Sequence, residues 1–397
     1  MTAHAAATPV GGKLWTGWYR ALAVLAAIAG GLLVWRFMAG LGATTAMNDG
    51  YPFGLWIAFD VVTGTALACG GYAVALLVYV FNKGHYHPLV RPAILTSALG
   101  YTIGGLSVLI DVGRPWLIYR VPLYFWEWNL NSALLEVALC IMAYIFVLWI
   151  ELSPALLERW TKSHHSRLAR VASVTHDFLD RVLVWVIALG LLLPTMHQSS
   201  LGSVMILAAS KLHPLWHTGL LPLLFLLGCV MMGYGVVVME SALAATAFRR
   251  PPESRMLGTL YTVAVVVICI YLIARIGDLL VNGRLGLMLR PDLYAVLFWL
   301  EIVLLLIPII MYFTRPRMRS NLGFMFRAAF IMVGAGALYR LDTYLVAFNP
   351  GDNWSYFPAV PEILITMGLI AAEIMAYVYI VKRFPILGGR PAVAPAG

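Results

Sequence analysis

The chain has 397 residues, of which 61% are hydrophobic and only 11% are charged. Soluble domains carry about 25% charged residues, so a water-soluble fold is excluded. A net charge of +9 would suit a nucleic-acid binder, but the basic residues sit in short segments between apolar runs, which argues against that class.

Apolar runs of about 20 residues, the length of a membrane-spanning helix, recur along the whole chain. Ten spans are predicted, at roughly 20–42, 55–80, 92–112, 131–152, 178–196, 219–243, 257–280, 293–313, 323–347 and 361–381. The expected fold is therefore an all-α integral membrane protein, with polar tails at 1–19 and 382–397 around a membrane domain at 20–381. The first run has the flavour of a signal peptide, but it is too long, and Arg36 interrupts its apolar core; it reads as an uncleaved helix. If both termini are cytoplasmic, that side carries Lys13, Arg20, Lys83, Arg91, the group Arg159, Lys162, Arg167 and Arg170, and further basic residues down to Lys382, Arg383 and Arg390. The opposite loops carry only Arg114, Arg120, Lys211, Arg284 and Arg290. That asymmetry sets the expected orientation.

The outer loops are aromatic instead. Residues 115–130 read as a hairpin lying in the membrane interface, an anchor for helix ends or a ledge for another subunit. The loop at 349–361 allows the same two readings. Gly71-Tyr72, Tyr101-Thr102 and Leu135-Glu136 recur at a near-constant offset as Gly233-Tyr234, Tyr261-Thr262 and Leu300-Glu301. This suggests two four-helix bundles, spans two to five (55–196) and six to nine (219–347), flanked by spans one and ten. Cys69, Cys140, Cys229 and Cys269 each lie in an apolar run with no CxxC pair, so they read as packing residues.

Ionisable groups inside spans cost on the order of 2.5–3.5 kcal/mol at the centre of a helix, and should face protein or water. Glu136, Glu240 and Glu301 lie within spans. Asp60, Asp111, Arg275, Asp278, Arg340 and Asp342 lie toward outer helix ends, and Arg36, Glu362 and Glu373 complete the set. Arg275 and Asp278, at i and i+3, can neutralise each other; Arg340 and Asp342 point to different faces and should pair across helices. Glu136 and Glu240 have no cation at helical spacing, and suit a proton relay as well as a packing role.

The stretch Leu-Pro-Thr-Met-His-Gln-Ser-Ser-Leu-Gly-Ser at 193–203 breaks an apolar run with Pro194 and places His197 among small polar side chains at what reads as the outer mouth of a bundle. A b-type haem normally needs two histidines on facing spans. The others, His4, His85, His87, His164, His165, His176, His213 and His217, fall in tails or loops, so neither a haem nor a metal cage is expected. His197 could instead donate to a quinone carbonyl, with Asp60 or Asp111 close by.

The strings at 193–202, His-Pro-Leu-Trp at 213–216, Arg-Leu-Asp-Thr-Tyr at 340–344 and Pro-Glu-Ile-Leu-Ile-Thr at 361–366 resemble the NrfD-type family of respiratory membrane subunits. Within it the chain is most like the HybB-type membrane subunit of quinone-linked nickel–iron hydrogenases. The likeness runs over about 20–385. It implies a bacterial inner-membrane subunit with no haem and no iron–sulfur cluster of its own. Such a subunit takes electrons from a periplasmic ferredoxin-like iron–sulfur subunit, beside hydrogenase small and large subunits, and binds menaquinone or ubiquinone near the outer face. It further implies a proton path through Tyr101, Glu136, His197 and Glu240, with Arg91 at the inner end. A sister subunit of a polysulfide, nitrite or sulfoxide reductase would share this chemistry. A secondary transporter would need helices broken at the midplane, and the one strong break in the sequence, Pro194, lies near an outer end. A passive membrane anchor is the remaining alternative.

Overall fold

The structure, a computed structural model, describes residues 7–161, 166–250 and 253–388, with the main chain alone for 159–161, 166–178 and 180. His4, Lys162, His164, His165 and Arg390, and the side chains of Arg159, Arg167, Arg170 and His176, lie outside the described residues.

Among the described residues ten helices are long and apolar enough to cross a membrane: span one Gly17–Ala39, two Trp56–Val80, three Gly84–Asp111, four Ala133–Glu158, five Arg181–Leu207, six Leu221–Ala247, seven Ser254–Val281, eight Leu293–Thr314, nine Leu322–Val346 and ten Val360–Arg383. Their edges match the sequence expectation to within a few residues, except that span three starts earlier and spans four and five end later. Among the described residues the only β-pairing is a single bridge, Leu212 to Phe348. Span two packs on three, three on four and four on five; span six packs on seven and nine, and eight on nine. Spans five and six join these two groups, and one and ten pair with each other at the side. Two and six are the most buried and span one the least, as expected for a helix facing lipid on most of its surface.

Span five differs most from the sequence reading. Pro194 does not end it: the helix runs from Ser166 to Leu207, so His197 lies well inside the membrane and not at a mouth. A proline within a bilayer helix is tolerated where its surroundings accommodate the freed backbone; beside it the Thr195 hydroxyl back-bonds to Leu191 O at 2.7 Å.

The broken helix is span two. It runs as a π-helix at Trp56–Thr63, a short α-helix at Gly64–Leu67, a turn at Ala68 and Cys69, then Gly70–Ala75 and a second π-helical turn. Gly233 of span six fits against this turn; a Cβ there would stand 2.5 Å from Cys69 O. Glycine is required by that close approach of two backbones. Arg340 of span nine, fully buried, seals the same region by donating to Val62 O at 2.8 Å and Phe225 O at 2.7 Å. Spans six and nine thus pack directly against the broken segment.

The segment after span three is a set of short turns at Pro115–Leu117, Arg120–Leu123 and Phe125–Glu127. They leave Trp116, Phe125 and Trp126 exposed.

Candidate functional site

Span five carries two kinds of polar side chain. Ser199, Ser200 and Ser203 bend back onto carbonyls of their own helix, Thr195 O, Met196 O and Ser199 O, which satisfies them locally. His197 and Gln198 instead point into the protein, both completely buried. Gln198 Nε2 donates to Thr65 Oγ1 at 3.1 Å and to the Tyr101 hydroxyl at 3.3 Å. That hydroxyl lies 3.4 Å from His197 Nδ1 and 3.6 Å from Cys69 Sγ. Tyr101 is held edge-on by Tyr144, with ring centroids 4.5 Å apart. Spans two, three and five therefore converge on one hydrogen-bonded knot of Thr65, Tyr101, His197 and Gln198. His197 Nε2 and Gln198 Oε1 have no partner in it. The opposite ring nitrogen is fixed by its neighbours, so Nε2 is the atom left to exchange a proton or a hydrogen bond.

One turn outward from His197, a cavity of about 400 Å³ opens between spans two, three, four and five, lined by Ile57, Val61, Val108, Leu201 and Val204, with Tyr344 from span nine. Its walls are almost wholly apolar. None of His197, Asp60 and Asp111 lines it; Val61 adjoins Asp60, and Leu201 follows His197 by one turn. Glu136 lies in the first turn of span four, half-buried, between the lining residues Leu134 and Val137. It is therefore not part of the His197 knot.

The other acidic residues follow span ten. Glu362, Thr366, Glu373 and Tyr377 recur at intervals of four and seven, which puts them on one helix face. At the outer end, Glu362 accepts from Ala46 N, Ala359 N and the Tyr356 hydroxyl at 2.7–2.9 Å. Below it, Thr366 at 3.0 Å and Ser107 at 3.3 Å donate to Asp60 Oδ2. Near the inner end, the Tyr377 hydroxyl donates to Glu240 Oε1 at 2.6 Å. Glu373 lies between these two groups. The spacing on span ten is a signal present in the sequence that the search for paired charges passed over. Asp111, at the end of span three, has one buried oxygen without a partner, and Arg36 beside it donates to Ile110 O and Val112 O. Arg91 forms a half-exposed ion pair with Glu158 at 3.1 Å and also holds Pro385 O.

In the second bundle the expected Arg275–Asp278 pairing does not form. Arg275 turns across to Glu301 at 3.4 Å and lies over the rings of Tyr339, Phe298 and Trp216. Asp278 accepts from Asn282. A buried cation stacked on three aromatic faces is better accommodated there than beside the half-buried Asp278 carboxylate. Arg340 reaches across helices as expected, but to main-chain carbonyls.

A transmembrane bundle with a buried tyrosine–histidine–glutamine knot beside an apolar cavity defines a polytopic membrane protein. The family model "Polysulphide reductase, NrfD" matches residues 43–343, and the chain belongs to that family. It is 42% identical to the "Probable Ni/Fe-hydrogenase 2 b-type cytochrome subunit" of Escherichia coli K12, over 96% of this chain and 94% of that protein. It is also 35% identical to the "Menaquinone reductase, integral membrane subunit" of Nitratidesulfovibrio vulgaris, over 42% of this chain and 37% of that one. With a selenate reductase subunit of Mesobacillus selenatarsenatis it shares 24% identity over 58% and 57% of the two chains.

The name of the E. coli relative overturns the expectation of a haem-free chain, because a b-type cytochrome is a haem protein. Among the described residues, His197 is the one histidine deep within a span, and its unpartnered Nε2 is the nitrogen that would hold such a group. His85 and His87 lie at the start of span three, and His213 and His217 in an outer loop. Among the described residues no second histidine faces His197, so these side chains do not supply the bis-histidine pair that a b-type haem normally takes.

Proposed function

We propose that this chain is the membrane subunit through which a periplasm-facing nickel–iron hydrogenase exchanges electrons with quinone. The observation that carries the reading is the buried Tyr101–His197–Gln198 knot one turn from an apolar cavity. A quinone needs an apolar enclosure for its ring and tail, and a few polar groups that fix its carbonyls. Its reduction consumes two protons with two electrons. His197 Nε2, oriented through Nδ1 by Tyr101 and Gln198 one turn from the cavity, is a group that can deliver one. The names of the E. coli and N. vulgaris relatives, a hydrogenase subunit and a menaquinone reductase subunit, support the same chemistry. Electrons come from a ferredoxin-like iron–sulfur partner docked on the outer face, itself fed by the hydrogenase small and large subunits.

Protons from the inner side enter past the Arg91–Glu158 ion pair and follow Glu240 with Tyr377, Glu373 and Asp60 toward the knot, groups that can hold or pass a proton. Asp60, tied to Thr366 and Ser107, and Asp111 support the quinone side of this route. Glu136, on the same turn as cavity-lining residues, serves the outer side of the cavity. A reductase other than a hydrogenase is the second reading, favoured by the likeness to the selenate reductase subunit; co-purification of the native complex separates the two.

The test is turnover of the assembled complex in membranes. His197→Ala is expected to lower hydrogen-to-quinone turnover on the order of 100-fold, while hydrogen oxidation with a soluble dye stays at the parent level. Quinone turnover at the parent rate in this variant would remove the site.

A further inference from the structure

The second bundle holds a titratable group that the proposed quinone chemistry does not use. Glu301 of span eight and Asp342 of span nine are both buried, and their carboxyl groups lie within hydrogen-bond reach of each other. Two carboxylates repel, so such a contact requires a proton between them. Arg275, the one cation on them, holds Glu301 Oε2 at 3.4 Å. Arg340, on span nine nearby, gives its hydrogen bonds to main-chain carbonyls and none to the pair. Trp216 Nε1 donates to Glu301 Oε1 at 2.9 Å and fixes its orientation.

The surroundings fit exchange better than static packing. Asp342 Oδ2, Arg275 Nε and Arg275 Nη1 are buried with no partner, so the cluster has polar atoms free to take up water or a proton. The titratable and charged groups around it are Tyr271, Arg275 and Asp278 on span seven and Tyr339 and Arg340 on span nine. None of them is a second carboxyl partner for Asp342. By helix rise, Glu301 lies about 12 Å and Asp342 about 6 Å below the outer helix ends.

Directly outward is a polar cup of about 790 Å³, lined by Lys211, His213, His217, Arg284 and Asn349. Three loops are sewn together around it. His213 N donates to Ala347 O, Asn349 N to Lys211 O, and Arg284 to Pro214 O and His217 O. Ala209 on its wall is held at φ 49°, a conformation that costs a non-glycine residue energy. His213 stacks on Tyr294 and meets the edge of Trp216. Trp216 therefore touches both Glu301 and His213, a residue of the cup wall.

We propose that Glu301 and Asp342 form a one-proton store in the second bundle, which exchanges with the outer face through the cup beneath His213 and Trp216. The proton is bound as the pair goes from two carboxylates to one shared O–H, and is released in the reverse step. This rests on the reading above only in that turnover moves protons across the chain.

The test is infrared difference spectroscopy of the assembled complex in nanodiscs, on a pH jump without hydrogen and then on hydrogen-driven quinone reduction. The pH jump should show, beside bands from the other buried carboxyls, a protonated-carboxyl carbonyl band of the pair that shifts in D₂O. It should be lost in Glu301→Gln and in Asp342→Asn alike, because a shared proton needs both groups. In Trp216→Phe the band should move without loss, since that change removes only a hydrogen-bond donor. Asp292→Asn, at the cap of span eight, should leave it unchanged. If Asp342→Asn does not assemble, Glu301→Gln and Trp216→Phe decide. A band that survives Glu301→Gln, that disappears in only one of the two assembled carboxyl variants, or that ignores Trp216→Phe overturns the proposal. Because the pH jump needs no turnover, loss of the quinone reading would leave this result standing, and the reverse holds too.

Discussion

Arg340 shows how one side chain can serve as structure where a charge in a membrane is expected to mean chemistry. Its guanidinium takes Val62 O and Phe225 O and lies over the Phe225 ring, tying spans two, six and nine. Hydrogen bonds to a charged group are worth about 1.5–3 kcal/mol each. Arg340→Lys, which cannot reach both carbonyls, should destabilise the protein by roughly that amount. Thermal unfolding in detergent reads it, and an unchanged midpoint contradicts the assigned role.

His213 in the outer loop gives a pH-dependent prediction. Burial, opposed by Asp292 and assisted by Arg290, holds its pKa below the usual 6.5. The unfolded loop therefore binds a proton more readily than the folded one. Its contribution to loop stability is complete above about pH 6.5 and declines as pH falls from there toward the lower folded value. Hydrogen exchange at the His213 amide, which donates to Ala347 O, should accelerate on acidification through that window, and His213→Phe should abolish the effect while keeping a ring on Tyr294. The same acceleration in that variant would assign it to another group.

At the scale of the helix, the crossing of spans two and six depends on Gly233. A side chain there meets Cys69 O, and Gly233→Val should force the two backbones apart at a cost of about 1–3 kcal/mol. A lowered unfolding midpoint with loss of quinone turnover is the expected result, since Cys69 also touches Tyr101. An unaffected midpoint would mean that the two spans are not in contact there.

Most span edges could be read directly, because an uninterrupted apolar run of about 20 residues has few other solutions. Pro194 misled for a physical reason: in water it would end a helix, but in lipid the helix continues and its neighbours absorb the missing bond. The break in span two went unread because Cys69-Gly70-Gly71 is also what tight helix packing looks like. The knot of Tyr101, His197 and Gln198 was half legible. The histidine stood out as a polar residue in an apolar run, whereas Tyr101 and Thr65 came from other spans. Arg275 choosing Glu301 over Asp278 was not legible, because aromatic stacking from three elements decides it.

Over the whole molecule, exposed apolar side chains such as Val24, Phe146, Val184, Val266 and Ile310 give the surface lipid needs. The basic residues concentrate at one end. The positive-inside rule then predicts that Lys83→Cys, in the loop before span three, reacts with a membrane-impermeant thiol reagent only in inside-out vesicles. Asp352→Cys, in the loop before span ten, should react only in right-side-out ones. The reversed pattern would invert the orientation, and the direction of proton flow with it.

Quinone occupancy of the apolar cavity beside the His197 knot is what the proposed chemistry most depends on. Photolabelling of the native complex with a photoreactive quinone analogue, followed by peptide mapping, tests it most directly. Label is expected on the cavity walls around Ile57–Val61, Val108 and Leu201–Val204, competed away by unmodified quinone. Competed label confined to other spans, with none on these segments, would contradict it.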